Sequence, residues 1–315
     1  MAAISNATRY LDMPEYIIEK DYWITMLLKK VTNFEYSKYT VFKGGTSLSK
    51  GFKLISRFSE DVDVSVKHEA FSENGIHKKS GEAIHKIIKK IKIEHFKDSK
   101  DGKESESQRY KRVYEFPRLF QYPAQTNIHQ KIVLEVNSFS EPAPTENVQI
   151  ISLVGSYIQD NLDRKLLEES ELVPFDIVVL APERTFCEKL LALRRAFIKG
   201  KDFFEPRIRH VSDIHQLYQS PRIKIFLEEQ EKFEKMLYLA HKDDQLNQKL
   251  TKEHSSGFSD IQLFSDPINA LLPFEAAYKN LQEIFFAGQL SEIGAVAETI
   301  KTVGKRLKGF SFIEV

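Results

Sequence analysis

The hydrophobic pattern divides the chain into a first part that mixes strands with helices and a later part that is helical. Apolar residues recur at helical spacing in Pro14–Thr32 and Lys78–Phe96, so both segments are predicted helices. Short apolar or alternating runs predict strands at 39–42, 61–66, 110–116, 131–137, 148–154 and 175–180, with a helix at 46–55. Residues 97–107 are polar, with mixed charge and no apolar period, and predict a mobile loop.

From Pro182 onwards the pattern is helical almost to the end, which places a domain change near residue 180. Ala181-Pro182 is a good helix start, because proline suits the first turn. The sequence therefore predicts an α+β domain at 1–180 and a mainly helical domain at 181–315. Aromatic residues of the helical part predict bundle core rather than a surface for stacking bases: Phe258, Phe264, Phe274, Tyr278, Phe285 and Phe286.

Composition adds limits on where and with what the protein works. The 315 residues carry a net charge of +1, so any nucleic-acid binding must come from a local patch. A single cysteine, Cys187, excludes a disulfide framework and suits a reducing cytoplasm. We expect a cytoplasmic protein without a secretion signal or a membrane span.

The candidate chemistry lies around two aspartates on a predicted strand. Residues two apart on a strand share a face, so Asp61 and Asp63 lie together, backed by apolar valines on the other face. Paired carboxylates of this kind suit Mg2+. The Gly44-Gly45 turn and the following helix start would bring backbone amides to the same place, as in phosphate sites. Phosphates beside paired carboxylates indicate metal-assisted nucleotidyl transfer.

Three stretches carry a resemblance to a known family: FKGGTSLSK at 42–50, RFSEDVD at 57–63 and EKDYW at 19–23. They resemble the AbiEii/AbiGii-type nucleotidyltransferase toxins, which include the MenT toxins and belong to the DNA polymerase beta-like superfamily. The spacing between the glycines and the first aspartate is longer than in most of that superfamily but typical of this branch. The resemblance implies a mixed-sheet nucleotidyltransferase domain followed by a helical domain.

Charged residues on the first long helix have two interpretations. Glu19 falls on the polar face, whereas Lys20 and Asp21 fall along the apolar stripe and need partners. They form either structural ion pairs or a stripe edge open to solvent. The lysines of 86–103 and the basic residues Arg109, Lys111 and Arg112 form either an RNA-tracking surface or a solvated face.

Glu135 is an acid in the middle of a predicted strand, on the opposite face from Leu134 and its apolar neighbours. The resemblance implies a third carboxylate here, acting as metal ligand or base; the alternative is an edge strand with Glu135 facing solvent. Lys189 lies in EKLLAL, which matches a family motif whose lysine binds nucleotide phosphate; a flanking lysine is otherwise usually solvated. Arg209 and Asp213 resemble a further motif, and are otherwise a surface salt-bridge cluster.

The resemblance thus assigns roles to thirteen positions of this chain. Catalytic roles fall on Asp61, Asp63, Glu135 and Lys189, of which the first three bind metal. Nucleotide-binding roles fall on Gly44, Gly45, Thr46, Ser47, Lys50, Arg57, Ser59, Arg209 and Asp213. No cysteine-based zinc site is possible, and His210 and His215 lack the spacing of a zinc helix.

The resemblance also implies the reaction and its setting. Expected cofactors are Mg2+, with Mn2+ as the alternative metal, and an NTP as co-substrate. The expected acceptor is RNA, above all the 3′ end of tRNA, which would block translation. A cognate antitoxin is expected, whether or not it binds directly, in a phage-defence setting. Two alternatives remain: transfer to a protein side chain or small-molecule hydroxyl, and a module that binds nucleotide without transferring it.

Overall fold

A computed structural model describes residues 2–106, 108–126, 128–162, 164–248, 257–286 and 290–310. The chain forms two compact units. The first comprises Met1–Lys53 and Arg57–Leu180, and the second comprises Leu54–Ser56 and Ala181–Val315. Within the residues described, no helix is long and apolar enough to cross a membrane.

The first unit is built on a seven-stranded sheet with the order β3-β4-β5-β2-β1-β7-β6. Its strands are β1 (Thr40–Lys43), β2 (Asp61–Val66), β3 (Lys97–Glu106), β4 (Arg109–Glu115), β5 (Ile132–Asn137), β6 (Thr145–Ile150) and β7 (Phe175–Leu180). The pairs β1–β7 and β2–β5 are parallel and the other pairs are antiparallel, so the sheet is mixed. The predicted α+β fold with a mixed sheet is confirmed.

Helices of the first unit are α1 (Ala2–Leu11), α2 (Glu15–Thr32), α3 (Gly44–Thr46, continuing as a π-helical turn over Ser47–Gly51), α4 (Ser80–Lys90), α5 (Leu153–Asn161) and α6 (Arg164–Glu169). Short 3-10 turns cover Ser37–Tyr39 and His68–Phe71. The predicted apolar stripe of α2 is confirmed as core: Ile17, Ile18, Ile24, Leu27, Leu28 and Val31 are all buried.

The prediction of a loop at 97–107 is wrong for the part that the structure describes. Residues 97–106 form β3, which pairs antiparallel with β4 at the edge of the sheet. An edge strand needs no apolar period, since charged side chains on both faces stay in water and discourage pairing with other chains. Backbone pairing, which the side-chain pattern does not reveal, makes this segment a strand. Ser107 lies outside the described residues.

Three predicted boundaries are also shifted. The helix predicted at 46–55 begins at Gly44 and ends at Gly51, and the one predicted over Lys78–Phe96 covers only Ser80–Lys90. The strand predicted at 148–154 ends at Ile150, because Ser152 caps the start of α5: its Oγ accepts a hydrogen bond from the Gly155 amide at 3.0 Å.

The second unit is helical, as predicted. Its helices are α7 (Pro182–Lys199), α8 (Lys201–Phe204), α9 (Arg209–Gln219), α10 (Pro221–Glu228), α11 (Gln230–Gln248), α12 (Gln262–Ser265), α13 (Pro267–Leu271), α14 (Glu275–Lys279) and α15 (Ile293–Arg306), with 3-10 turns at Glu205–Arg207, Phe258–Asp260, Leu272–Phe274 and Asn280–Ile284. The predicted aromatic core is confirmed for Phe258, Phe264, Phe274, Tyr278 and Phe285, which are buried, whereas Phe286 is only half-buried. Leu54–Ser56 belongs here: the Ser56 amide donates to Gln216 Oε1 at 2.5 Å, and its carbonyl accepts from the Phe286 amide at 3.1 Å.

Candidate active site

The Gly44-Gly45 turn after β1 leaves room for the Asp63 carboxylate, which a side chain at position 44 would displace. Gly44 has a φ of +81°, and a Cβ atom there would lie 2.2 Å from Asp63 Oδ2. A Cβ at Gly45 would lie 2.9 Å from Arg57 Nη2 and 3.0 Å from Ser59 Oγ. Gly44 is therefore required both by its backbone conformation and by the close approach of Asp63, whereas a side chain at Gly45 would displace the ends of two neighbouring side chains. The turn therefore lies against three predicted site residues: the carboxylate of Asp63, the guanidinium of Arg57 and the hydroxyl of Ser59.

The hydroxyl groups that follow the glycines hold the turn in place. Thr46 Oγ1 donates to the carbonyl of Asp61 at 2.5 Å, and Ser47 Oγ donates to the carbonyl of Gly44 at 2.8 Å. Both side chains are buried. Their hydroxyl protons serve the fold, so any contact with phosphate from this helix start would come from its first backbone amides, which point away from the helix body.

Three carboxylates share one face of the sheet. Asp63 of β2 is the register partner of Glu135 in β5, and Asp61 lies two residues before Asp63 on the same face. The valines between and beyond them, Val62, Val64 and Val66, are fully buried on the other face. Lys43 and Lys111 extend the same row, opposite Asp63 and Glu135 respectively. The register thus places the predicted third acid beside the second.

The aspartate pair fits a magnesium ion better than the full set of three acids does. Glu135 Oε2 lies 2.7 Å from Arg109 Nη2, a charge-assisted hydrogen bond that engages its carboxylate. Among the residues that the structure describes, no group of three acidic, histidine or cysteine side chains is arranged to hold a metal. Mg2+, however, is usually held by one or two carboxylates together with substrate phosphates. Asp61 and Asp63, on one face of β2, supply the number of carboxylates that such a site needs.

Lys20 of α2 joins the segments that lead into both carboxylate strands. Its ammonium is fully buried, lies 2.5 Å from Glu60 Oε2 and also donates to the carbonyl of His129. The same Glu60 oxygen accepts from the His129 amide at 2.9 Å. Burial lowers the pKa of Lys20, while the charge of Glu60 opposes that shift. Glu60 directly precedes β2 and His129 lies just before β5, so one buried cation holds the segments from which both strands begin.

Asp21, the next residue of α2, anchors the helix that follows the glycine turn. Its Oδ1 lies 2.6 Å from Lys50 Nζ, with both side chains 7 % exposed, and its Oδ2 accepts from the Leu153 amide at 2.7 Å. Lys50 Nζ also donates to the carbonyl of Ile151 at 3.3 Å. Lys50, predicted to offset triphosphate charge, is thus committed to a buried ion pair. Of the two interpretations open for Lys20 and Asp21, the structure shows ion pairs.

The predicted position of Glu19 on a polar face of α2 is wrong. Glu19 is buried and its Oε1 accepts from the Leu119 amide at 2.5 Å. The segment around Leu119 and Tyr122 covers this side of the helix, where Tyr122 donates to the carbonyl of Tyr16 at 3.2 Å. Burial raises the pKa of Glu19. The helical period of α2 gives no information about a loop, far away in the sequence, that covers the helix.

In the second unit the predicted residues of α7 and α9 meet. Lys189 Nζ lies 2.7 Å from Asp213 Oδ2 and 3.1 Å from His210 Nδ1. Lys189 and Asp213 are both buried. The alternatives left open by the sequence, a solvated lysine and a salt-bridge cluster on the surface, are therefore wrong. Burial, and then the charge of Lys189, lower the pKa of His210 to about 3. Arg209 is half-buried next to His210, and its charge lowers the same pKa further.

A protein-family model matches most of the chain. The model described as nucleotidyl transferase AbiEii toxin, type IV TA system, matches residues 27–287 of the chain. The protein is therefore one of the nucleotidyl transferases. Within that class it belongs to the AbiEii toxin family of type IV toxin–antitoxin systems, which confirms the resemblance seen in the sequence. A search of curated proteins found no match.

Sequence reasoning missed the partners that hold the site residues. The glutamate of the SED run at 59–61 carries no sign that a lysine forty residues earlier will neutralise it. The pairing of Arg109 with Glu135 follows from strand register, which a single sequence does not reveal. His210 was not missed: it lies three residues before Asp213, and that spacing predicts that the two side chains share one helix face.

Proposed function

We propose that this protein is an Mg2+-dependent toxin that transfers NMP from an NTP to RNA, at the 3′ acceptor end of tRNA, and so blocks translation. The observation that carries the proposal is the carboxylate row of Asp61, Asp63 and Glu135 beside the Gly44 turn, in a member of a nucleotidyl transferase toxin family. A tRNA whose 3′ end carries the added nucleotide could not be aminoacylated.

Asp61 and Asp63 are the residues that would hold the metal, with Mn2+ as an alternative ion. When bound, the ion neutralises phosphate charge and lowers the pKa of the attacking hydroxyl. Glu135 either completes the metal site after release from Arg109 or takes the proton of that hydroxyl as general base. The Gly44-Gly45 turn presents backbone amides to the triphosphate, with Arg57 and Ser59 packed against it. Lys50 contributes indirectly, because its ion pair with Asp21 anchors the helix that follows the turn.

The helical unit supplies further charge in this proposal. Lys189 binds a phosphate of the nucleotide as a point charge, Asp213 holds its ammonium, and Arg209 contributes a second cation beside them. The two parts 1–180 and 181–315 thus act as catalytic domain and nucleotide-binding helical domain. The cognate antitoxin that the family implies would restrain this activity in a phage-defence setting.

The test is transfer of label from each of the four α-labelled NTPs to purified tRNA in the presence of Mg2+. We expect one nucleotide to label tRNA and to lengthen its 3′ end, and we expect a chelator to stop the reaction. Asp63→Asn should lose at least about 100-fold of the rate. The matched control is Asp176→Asn, since Asp176 is an exposed acid on β7.

Two other results would redirect the proposal. Label that migrates with protein on a denaturing gel would make a protein side chain the acceptor. Calorimetric binding of an NTP without release of pyrophosphate, for every RNA supplied, would identify a nucleotide-binding module and overturn transfer altogether.

A further inference from the structure

The ammonium of Lys189 lies between two acceptors of different charge. Asp213 Oδ2 is 2.7 Å away and His210 Nδ1 is 3.1 Å away. Asp213 is fully buried, whereas the side chain of His210 is 21 % exposed. Lys189 comes from α7 and its two partners come from one turn of α9, so the three side chains form a cluster inside a single compact unit.

The chemistry of an ammonium settles the protonation of the imidazole. A lysine ammonium has three donors and no acceptor, so His210 Nδ1 must accept its hydrogen bond through a lone pair. His210 Nδ1 and Asp213 Oδ2 lie 3.5 Å apart. They are therefore two acceptors of the same ammonium and not a donor and an acceptor bonded to each other. The ring proton sits on Nε2. Burial and the charge of Lys189 both favour the neutral ring, and together they outweigh the carboxylate of Asp213, which favours the charged ring.

We propose that His210 is a positioning residue, a neutral acceptor that works with Asp213 to aim the ammonium of Lys189 at a phosphate of the nucleotide. The inference rests on the proposed role of Lys189 in nucleotide binding. A lysine has a flexible four-carbon stem, and one carboxylate alone lets its head pivot. A second acceptor fixes the orientation of that head.

The neutrality of this acceptor matters as much as its position. Lys189 and Asp213 together carry no net charge. A second carboxylate in place of His210 would add a negative charge to the cluster and would weaken its attraction for a triphosphate. The imidazole supplies a lone pair without adding charge. The proposal therefore distinguishes variants by charge as well as by hydrogen-bonding capacity.

The test compares three substitutions of His210 in the full-length protein, using NTP dissociation constants and the kcat and KM of transfer. His210→Asn keeps a neutral acceptor near the position of Nδ1 and should stay within about fivefold of wild type. His210→Leu has no acceptor and should lose about 10- to 100-fold in kcat/KM, as outer-shell partners of a functional group typically do. His210→Asp matches asparagine in size but adds a charge, and should raise KM and the dissociation constant.

Two patterns would overturn the proposal: equal activity of the asparagine and leucine variants, or equal NTP affinity of the asparagine and aspartate variants. Thermal unfolding of each variant separates these effects from loss of fold. Nitrogen-15 NMR of histidine-labelled protein gives a readout that does not depend on activity. The His210 signals, assigned by their loss in His210→Asn, should show a bare Nδ1 and a protonated Nε2 at pH 7; a protonated Nδ1 would also overturn it.

The same measurements separate this proposal from the proposed function. If the wild-type protein binds NTP but labels no acceptor, nucleotidyl transfer fails. The positioning role of His210 is then decided by the ring tautomer and by the order of NTP affinities among the three variants.

Discussion

At the scale of single residues, Gly44 shows how one missing side chain determines where a carboxylate lies. Its backbone occupies the left-handed region, and its Cα faces Asp63 so closely that a methyl group would overlap Oδ2. The position therefore combines a conformational demand with a steric one. Only glycine meets both, and Asp63 depends on it for its place in the carboxylate row.

We predict that Gly44→Ala abolishes transfer without unfolding the protein. The alanine costs about 1–2 kcal/mol for its backbone conformation and displaces the Asp63 carboxylate, so activity should fall at least about 100-fold. Gly200→Ala is the matched control: its φ is +99°, but no atom lies within 4 Å of the added Cβ. Transfer rates and thermal unfolding of both variants decide the matter, and comparable activity of the two would count against the role of this close approach.

At the scale of elements, α2 works as the frame of the first unit. Three successive charged residues, Glu19, Lys20 and Asp21, are buried, and each bonds to a different segment of the chain. Charged residues are seldom fully buried unless they are paired. Lys20 and Asp21 are paired with the opposite charges of Glu60 and Lys50, which makes removal of one partner more costly than removal of both.

Lys20→Met should therefore destabilise the protein by about 3 kcal/mol, because it leaves the Glu60 carboxylate without its cation. Urea unfolding measures the change. The double variant with Glu60→Gln should regain part of the lost stability, since no uncompensated charge remains. Lys78→Met, at an exposed pair with Glu73, is the control and should change stability by less than about 0.5 kcal/mol. A Lys20→Met protein as stable as wild type would contradict the role assigned to the buried pair.

The elements also show what a single sequence can and cannot predict. The stripe of α2 and the alternation of β2 report burial directly, because side-chain period follows backbone geometry. The edge strand β3 and the burial of Glu19 depend on segments far away in sequence. The same holds for Glu135: its strand was predictable, but its hydrogen bond with Arg109 required the β4–β5 register. Long-range pairing thus accounts for the features that were missed.

At the scale of the molecule, three histidines of the helical unit have a lowered pKa. The pKa of His210 is lowered to about 3 and that of His241 to about 4, in both cases mainly by burial; Lys189 and Arg194 add to the effect respectively. His215, bonded to Thr299 at 2.8 Å, also has a lowered pKa because of burial. Such groups bind a proton in the unfolded chain before they do so in the folded one.

Acid should therefore weaken the helical unit. Stability is fully present above the unfolded pKa of 6.5 and falls as the pH drops towards the folded values, by about 2 kcal/mol for His210 and again for His241 between pH 7 and pH 5. Hydrogen exchange of the second unit at the two pH values measures the loss. His241→Leu should reduce the pH dependence, and His95→Gln, at an exposed position, should not. Protection factors, which are corrected for the intrinsic exchange rate at each pH, would refute the prediction if they were the same at pH 5 as at pH 7.

The assignment of Leu54–Ser56 to the helical unit means that the two units are interleaved in the gene as well as in the chain. No single cut separates them. A fragment that stops at Leu180 would retain Ser56 but lose Gln216 and Phe286, the two residues that bond to its backbone. Truncation, recombination or fusion of the gene at this junction would thus leave a defect inside the segment that links the glycine turn to Arg57, far from the new end.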